Sequence, residues 1–337
     1  MTEKSPLLLR VFTYAMALFW GTVMLANSLY LIVKLGPRKF FTKPKRSSRP
    51  LCLDEASLGI HSFARLKNLR LHYVVSGPES KPLMLFVHGF PEFWYSWRHQ
   101  IREFNREYRC VAVDMRGYGE SDKPKGIVNY TTDKLAEDLK ELVEALGYEK
   151  CILVAHDWGG AVAQVFTSLY PKMVQRFVLC NIPHPTAFES YMQSHPKQIL
   201  MSWYMFFFQL PYFPEFFLGC CDYGSTSQTF KDNCSEDDIE AYKWSQAQPG
   251  GLTGPLNYYR AAFQYEQTDL PSPIAVPTLM VWGAKDKYIH KDTAGMSAKY
   301  YKDFTLNFIE EAGHFVMMDA PDETSECIRE FLKRKKL

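Results

Sequence analysis

The chain has 337 residues, 47% of them hydrophobic and 23% charged, and a formal net charge of +2. That composition excludes disorder, a collagen-like repeat and a coiled coil, and the length suits one large domain or two ordinary ones. Residues 1–50 hold nine Lys/Arg against Glu3 alone, so the remainder is net acidic, which excludes nucleic acid as a partner.

In chain order, residues 11–33 come first: no Asp, Glu, Lys or Arg interrupts VFTYAMALFWGTVMLANSLYLIV. A helix of that length crosses a hydrocarbon core of about 30 Å. The run exceeds a signal-peptide core, carries the bulky Trp20 and Tyr30 and is followed by no clean A-x-A site, so a retained transmembrane anchor is expected. Lys34, Arg38, Lys39, Lys43, Lys45, Arg46 and Arg49 follow it in a basic linker over 34–57, whereas Lys4 and Arg10 precede it. The positive-inside rule then sets the body in the cytosol, and anionic headgroups would attract the linker, so membrane lipids are an expected partner. Glycans on the sequons at Asn129 or Asn233 would reverse that orientation. The eight cysteines, without C-x-x-C spacing, read as reduced thiols of a cytosol-like compartment.

Beyond residue 70 short apolar runs bounded by turns recur: HYVVSG, PLMLFVHG, YRCVAVDM, CILVAHD, RFVLCNI, PTLMVWG and TLNFIEEA. They read as buried strands. Between the third and fourth, Leu135, Leu139, Leu142, Val143 and Leu146 mark one face of a helix that Gly147 closes. Strands alternating with helices predict an α/β fold with a mostly parallel sheet covered on both faces. The alternation stops over 184–269, where SWYMFFFQLPYFPEFF and SEDDIEAYKWSQA predict a helical cap inserted into a core of 58–183 and 270–337.

CILVAHD ends at Asp157, and Trp158-Gly159-Gly160 then opens a helix. Strand, sharp turn and helix are the context of a nucleophile elbow, with Ala155 and Gly159 as its small neighbours. In isolation Asp157 would equally suit a helix N-cap. Asp286 in GAKDKY and His314 in EAGHFVMMDAP follow the next two strands and complete the chain order nucleophile, acid, histidine. After PLMLFV, the turn His88-Gly89-Phe90-Pro91-Glu92 can aim the Phe90 N–H inward, to form an oxyanion hole with the Trp158 N–H. An ionised carboxylate opens a strained ring without a base and leaves an ester that water can hydrolyse. The departing alkoxide needs an acid, for which a phenol is suited.

HGFPEFWYSW, DMRGYGESDKP, AHDWGG, the Asp286 and His314 loops and GPLNYYR resemble the α/β-hydrolase-fold epoxide hydrolases, over about Leu58 to Leu332. Within them the chain is most similar to the membrane-anchored animal branch. The resemblance implies an α/β-hydrolase fold with a helical cap and Asp157, Asp286 and His314 as triad. It also implies two cap tyrosines that activate the epoxide, mapping onto Tyr204 in SWYMFFFQ and Tyr259 in LNYYR, with Tyr258 the nearest rival. Substrates would be lipophilic epoxides and water, with vicinal diols as products, and the location a single-pass protein of the endoplasmic reticulum membrane. Trp97 in WYSW is assigned to substrate binding, with the core as its other place. No cofactor is expected, and the remaining histidines, among them His61 and His72, lack metal-ligand spacing.

Two other functions fit parts of this pattern. Haloalkane dehalogenases share the fold and the Asp-Trp pair, but halide leaves as an anion and requires no phenolic acid. A membrane-tethered lipid-binding protein would need the pocket without its chemistry. A serine esterase is excluded, because no G-x-S-x-G turn follows any strand.

Overall fold

The computed structural model describes residues 7–334 apart from 269, 271 and 272, so Glu3 and Lys4 of the N-terminal flank lie outside the described residues. Eight strands form one sheet in the order β1 (Ile60–Arg65), β2 (Arg70–Ser76), β4 (Arg109–Val113), β3 (Leu83–Val87), β5 (Cys151–His156), β6 (Val174–Cys180), β7 (Thr278–Gly283) and β8 (Phe304–Ile309). The β1–β2 and β2–β4 pairs are antiparallel and all the others parallel. Every residue of β3, β5 and β7 is buried, which is why those strands read as unbroken apolar runs. The seven runs correspond to β2–β8. β1 was not among them, because it is a mostly exposed edge strand without an apolar run.

Helices α1 (Leu7–Leu35) and α2 (Pro37–Phe41) precede the sheet, and α3 (Arg98–Phe104), α4 (Thr132–Ala145) and α5 (Asp157–Leu169) follow β3, β4 and β5. α4 buries Leu135, Leu139, Leu142 and Val143, and Gly147 ends the turn beyond it at φ 79°. Between β6 and β7 lie α6 (Pro185–Ser194), α7 (Pro196–Met201), α8 (Trp203–Phe207), α9 (Phe213–Phe230), α10 (Glu236–Ala247) and α11 (Thr253–Gln264). α9 is broken at Cys220–Tyr223, where three residues in succession have positive φ. α12 (Asp292–Ser297) links β7 to β8, and α13 (Val316–Asp319) and α14 (Pro321–Lys333) follow β8. One apolar core packs α4 and α5 on one face of the sheet, and a second packs α3 and α14 on the other.

α1 is long and apolar enough, by length and composition, to cross a membrane. Its residues Thr13, Ala17, Gly21, Met24 and Ser28 are buried, a stripe at helical spacing, while Val11, Leu18, Leu25 and Leu29 are exposed. The buried stripe faces α8, with Trp20 on Trp203 at 5.3 Å and Phe12 on Phe206 at 5.9 Å between ring centroids. The basic linker is only partly available to headgroups. Arg46 is paired with Asp222 at 2.7 Å and Glu240 at 2.6 Å, and Arg49 with Asp54 and Glu120, whereas Lys34, Arg38, Lys39, Lys43 and Lys45 are exposed.

Gly159 lies where α5 crosses closest to β3. A Cβ there would collide with the carbonyl oxygens of His88 and Val87, both of them backbone. Gly159→Ala should therefore lower stability by at least about 1–3 kcal/mol, the usual cost of overpacking. Thermal melting of the purified variant checks this, and an unchanged midpoint would contradict the close crossing.

Candidate active site

Four strand ends converge on one point. After β5 the chain turns at Asp157, whose φ of 47° lies in the left-handed region, and enters α5 at once. This swings the carboxylate above the sheet, and the turn closes only because Gly89 opposite it has no Cβ: one there would overlap Asp157. The loop after β3 brings the Phe90 N–H to Asp157 Oδ1 at 2.8 Å. The Trp158 amide belongs to the first turn of α5, whose N–H groups have no partner within the helix. Oδ1 thus sits in a backbone donor site, and Oδ2 faces His314 Nε2 at 3.5 Å.

His314, after β8, donates from Nδ1 to Asp286 Oδ2 at 2.8 Å. Asp286, after β7, is held on both oxygens: Oδ1 accepts the Tyr288 and Ile289 N–H groups at 2.7 and 3.0 Å, and Oδ2 also accepts Asn181 Nδ2–H at 2.7 Å. Fixing Nδ1 as a donor leaves Nε2 to exchange a proton on the side of Asp157. Burial opposes charging His314, but the charge of Asp286 and hydrogen bonds to both carboxylates outweigh it and raise its pKa well above the ordinary value. Burial likewise disfavours the Asp157 anion, but the hydrogen bond and charge of His314, the charge of His156 and the Phe90 N–H together hold its pKa below the ordinary value.

Asp157 and His314 open into a cavity of about 200 Å³ roofed by α8, α9 and α11, with Tyr204, Phe207, Phe217 and Tyr259 in its lining. Tyr204 and Tyr259 meet edge to face at 5.8 Å, and Tyr259 stands edge-on to Trp158 at 5.0 Å. Burial foremost raises both phenols well above their ordinary pKa. The Asp157 charge adds to this, so both are proton donors throughout the neutral range. Tyr258 points elsewhere and donates to the Arg116 carbonyl at 2.7 Å.

Trp97 is corrected: it lies in the core with no exposure, packed on Phe86 at 5.3 Å, on the side of the sheet that α3 covers. A WYSW stretch carries no signal for which of its rings turns outward. Four residues went unsingled in the sequence reading. Glu92 accepts the Gly89 N–H at 2.8 Å and meets His156 Nδ1 at 2.6 Å, while His156 Nε2 reaches the His314 carbonyl at 2.9 Å. The glutamate thus braces the elbow from behind. Asn181 fixes Asp286, Tyr288 packs on His314 at 5.1 Å, and Tyr118 has a buried hydroxyl without a partner at the cavity. Position after a strand was the one available signal, and it applies to Asn181.

His61, His72 and Glu120 bring three potential metal-ligand atoms within 4.8 Å of one another. The separation of 11 residues hides this, because β1 and β2 pair His61 with Val74 and Phe63 with His72, which makes the two histidines diagonal neighbours. His61 Nδ1 and His72 Nε2 are 2.8 Å apart, a hydrogen-bond distance, and their other ring nitrogens bind the Leu53 carbonyl and Asp114. The pair is accordingly a strap between the end of the linker and the sheet edge.

The model of the α/β hydrolase fold family matches residues 82–321. Epoxide hydrolase 4 of Homo sapiens is 41% identical, over 94% of this chain and 94% of that protein. Epoxide hydrolase 3 of Xenopus tropicalis is 38% identical, over 96% of this chain and 91% of its own length. Among solved structures, a mutant of an epoxide hydrolase from Bacillus megaterium superposes with a TM-score of 0.75 at 30% identity, covering 81% of this chain and 100% of that one. Another mutant of that enzyme, crystallised with its diol product, has the same TM-score at 29% identity. The family read from HGFPEFWYSW and AHDWGG is the one these comparisons return.

The raised pKa of His314 links stability to pH. Its contribution is fully present below the ordinary histidine value and lost as pH rises through the higher folded value. Melting temperature should therefore fall, as pH rises above the ordinary histidine value of 6.5, more steeply in the wild type than in His314→Gln. Parallel slopes for the two proteins would contradict the ion pair.

Proposed function

Because the chain belongs to the α/β-hydrolase-fold epoxide hydrolases, we propose that it converts lipophilic epoxides to vicinal diols in two steps through an ester on Asp157. The observation that carries this reading is an ionised carboxylate facing two phenols across one cavity, with a histidine beside it. Asp157 Oδ2 attacks a ring carbon, the ring C–O bond breaks, and Tyr204 or Tyr259 gives its proton to the departing oxygen while the other donates a hydrogen bond. Oδ1 stays with the Phe90 N–H, which supports Oδ2 as the attacking atom.

Ester formation removes the negative charge that helps hold a proton on His314. The histidine then gives up its proton, which restores the phenol left as tyrosinate by ring opening, and becomes a base oriented by Asp286. It takes a proton from water as the water oxygen adds to the Asp157 ester carbonyl. The Phe90 and Trp158 N–H groups stabilise the tetrahedral oxyanion. Collapse expels the diol and restores the carboxylate, and no cofactor enters the balance. Diol formation from a panel of lipid and aromatic epoxides, measured beside Asp157→Ala, tests the activity. Equal rates would remove it.

The apolar cap and α1 support substrates that partition into membranes, such as epoxides of unsaturated fatty acids. The exposed basic residues from Lys34 to Lys45 support a body on the cytosolic side of the endoplasmic reticulum membrane.

Two predictions separate the steps. His314→Gln should still alkylate but lose its base, so an ester should accumulate on the Asp157 peptide, detectable by mass spectrometry, with turnover nearly abolished. Absence of the adduct while the epoxide is still converted to diol would point to direct attack of water on the epoxide.

Single-turnover alkylation should slow in Tyr204→Phe and in Tyr259→Phe. The double variant should lose roughly 10² to 10⁴-fold, the usual worth of general acid assistance, while any ester formed is still hydrolysed. Tyr258→Phe, which removes only the bond to Arg116, should alkylate normally. If the double variant keeps its rate, the acid is another cavity phenol, Tyr118 or Tyr288.

A further inference from the structure

A helix long enough to cross a bilayer is here occupied along its length by the cap. Ring contacts run from Phe12 on Phe206 to Trp20 on Trp203, and a Cβ on Gly21 would lie 2.5 Å from Leu210. If α1 stood upright with Lys34 among the headgroups, Phe12 would lie roughly 33 Å deeper. That is the far side of a hydrocarbon core about 30 Å thick. Phe206 would be carried there with it, and α7, which directly precedes α8 and exposes Lys197, would be drawn toward hydrocarbon. Docked α1 and upright α1 are therefore incompatible.

The geometry points to α1 lying in the plane of a single leaflet, sandwiched between lipid chains and the cap, so that the cap face beside it is a membrane-docking surface. This rests on the membrane reading above, and not on the epoxide chemistry. An interfacial helix ordinarily turns a polar face to water. α1 has none; the cap takes that place through the small-residue stripe Thr13, Ala17 and Gly21, while large apolar side chains face outward. The outward face continues onto the protein, where Phe41 is 57% exposed, Phe216 47%, Leu200 59% and Tyr212 85%. Phe41 and Phe216 meet at 6.2 Å, which joins α2 to the cap in one apolar surface. Lys34, Arg38, Lys39 and Lys43 rim it, as anionic headgroups require. The occupant that fits is the acyl-chain region of one leaflet. Trp203 both packs on α1 and lines the cavity, so it stands between the site and the helix that lies against that layer.

The test uses the full chain with an N-terminal epitope tag. In sealed microsomes, protease added outside should remove the tag together with the body, because both lie on one side. In liposomes containing a diazirine-bearing phosphatidylcholine, light should label peptides spanning 197–218 as well as 7–35, and leave those of α12 and β8 unlabelled. A tag protected while the body is digested means that α1 spans the bilayer and overturns the proposal. So does labelling confined to 7–35. Neither readout requires turnover, so both stand whether or not the protein proves to hydrolyse epoxides.

Discussion

Holding a residue other than glycine in the left-handed backbone region costs about 1–3 kcal/mol, and Asp157 is held there at the junction of β5 and α5. The surroundings enforce it. β5 is hydrogen-bonded on both sides, to β3 and β6, so the strand cannot relax, and α5 is packed against β3 through glycine. The effect is to lift a carboxylate clear of the sheet, with one oxygen on a backbone N–H and the other toward a histidine. Each remaining part of the site is arranged around that point: Phe90 from the end of β3, Asp286 from β7, His314 from β8 and the phenols from above. A parallel sheet delivers these groups together because its strands all end on the same side.

Two carboxylates share one imidazole. Asp286 is fixed by four hydrogen bonds, whereas Asp157 is approached by His314 at 3.5 Å and has one oxygen without a close partner. That asymmetry suits the two carboxylates to different parts, one to hold the ring and one to react. Charge then couples the steps. In the resting site the proton on His314 is retained by both anions. In the proposed mechanism, esterifying one of them lowers the affinity of His314 for that proton, so the first step frees the base that the second step needs. A neutral residue at position 157 would leave no such coupling.

Legibility in the sequence followed burial. Strands buried on both faces, β5 and β7, produced continuous apolar runs and marked the positions after which Asp157 and Asp286 stand, while the half-buried edge strand β8 was still apolar enough to mark the place of His314. β1, exposed at the edge, produced none. Where helical rotation decides, local sequence is silent: Tyr258 and Tyr259 are adjacent in α11, about 100° apart around its axis, and only the Arg116 carbonyl reveals which one turns away. The assignment of Tyr259 came from the motif alone. Trp97 failed for the same reason, since the three rings of Trp94, Tyr95 and Trp97 in a single short helical turn must point in different directions. The linker's charges counted correctly but not their partners, because Asp222 and Glu240 are nearly two hundred residues away.

The cap is where these strands of argument meet. It supplies the phenols from two separate helices, α8 and α11, so the distance between them is a tertiary quantity that depends on how α8 is seated. α8 is only five residues long and cannot hold its own orientation. It is seated from below by Tyr259, which meets Tyr204 and the C-cap residue Phe208 edge to face, and from above by α1, through Trp20 on Trp203 and Phe12 on Phe206. Tyr204 is the neighbour of Trp203 in that helix. The apolar N-terminal segment is thus packed one residue away from a group expected to touch the substrate, and its attachment to the cap bears on the geometry of the acid as directly as on the position of the enzyme at a membrane.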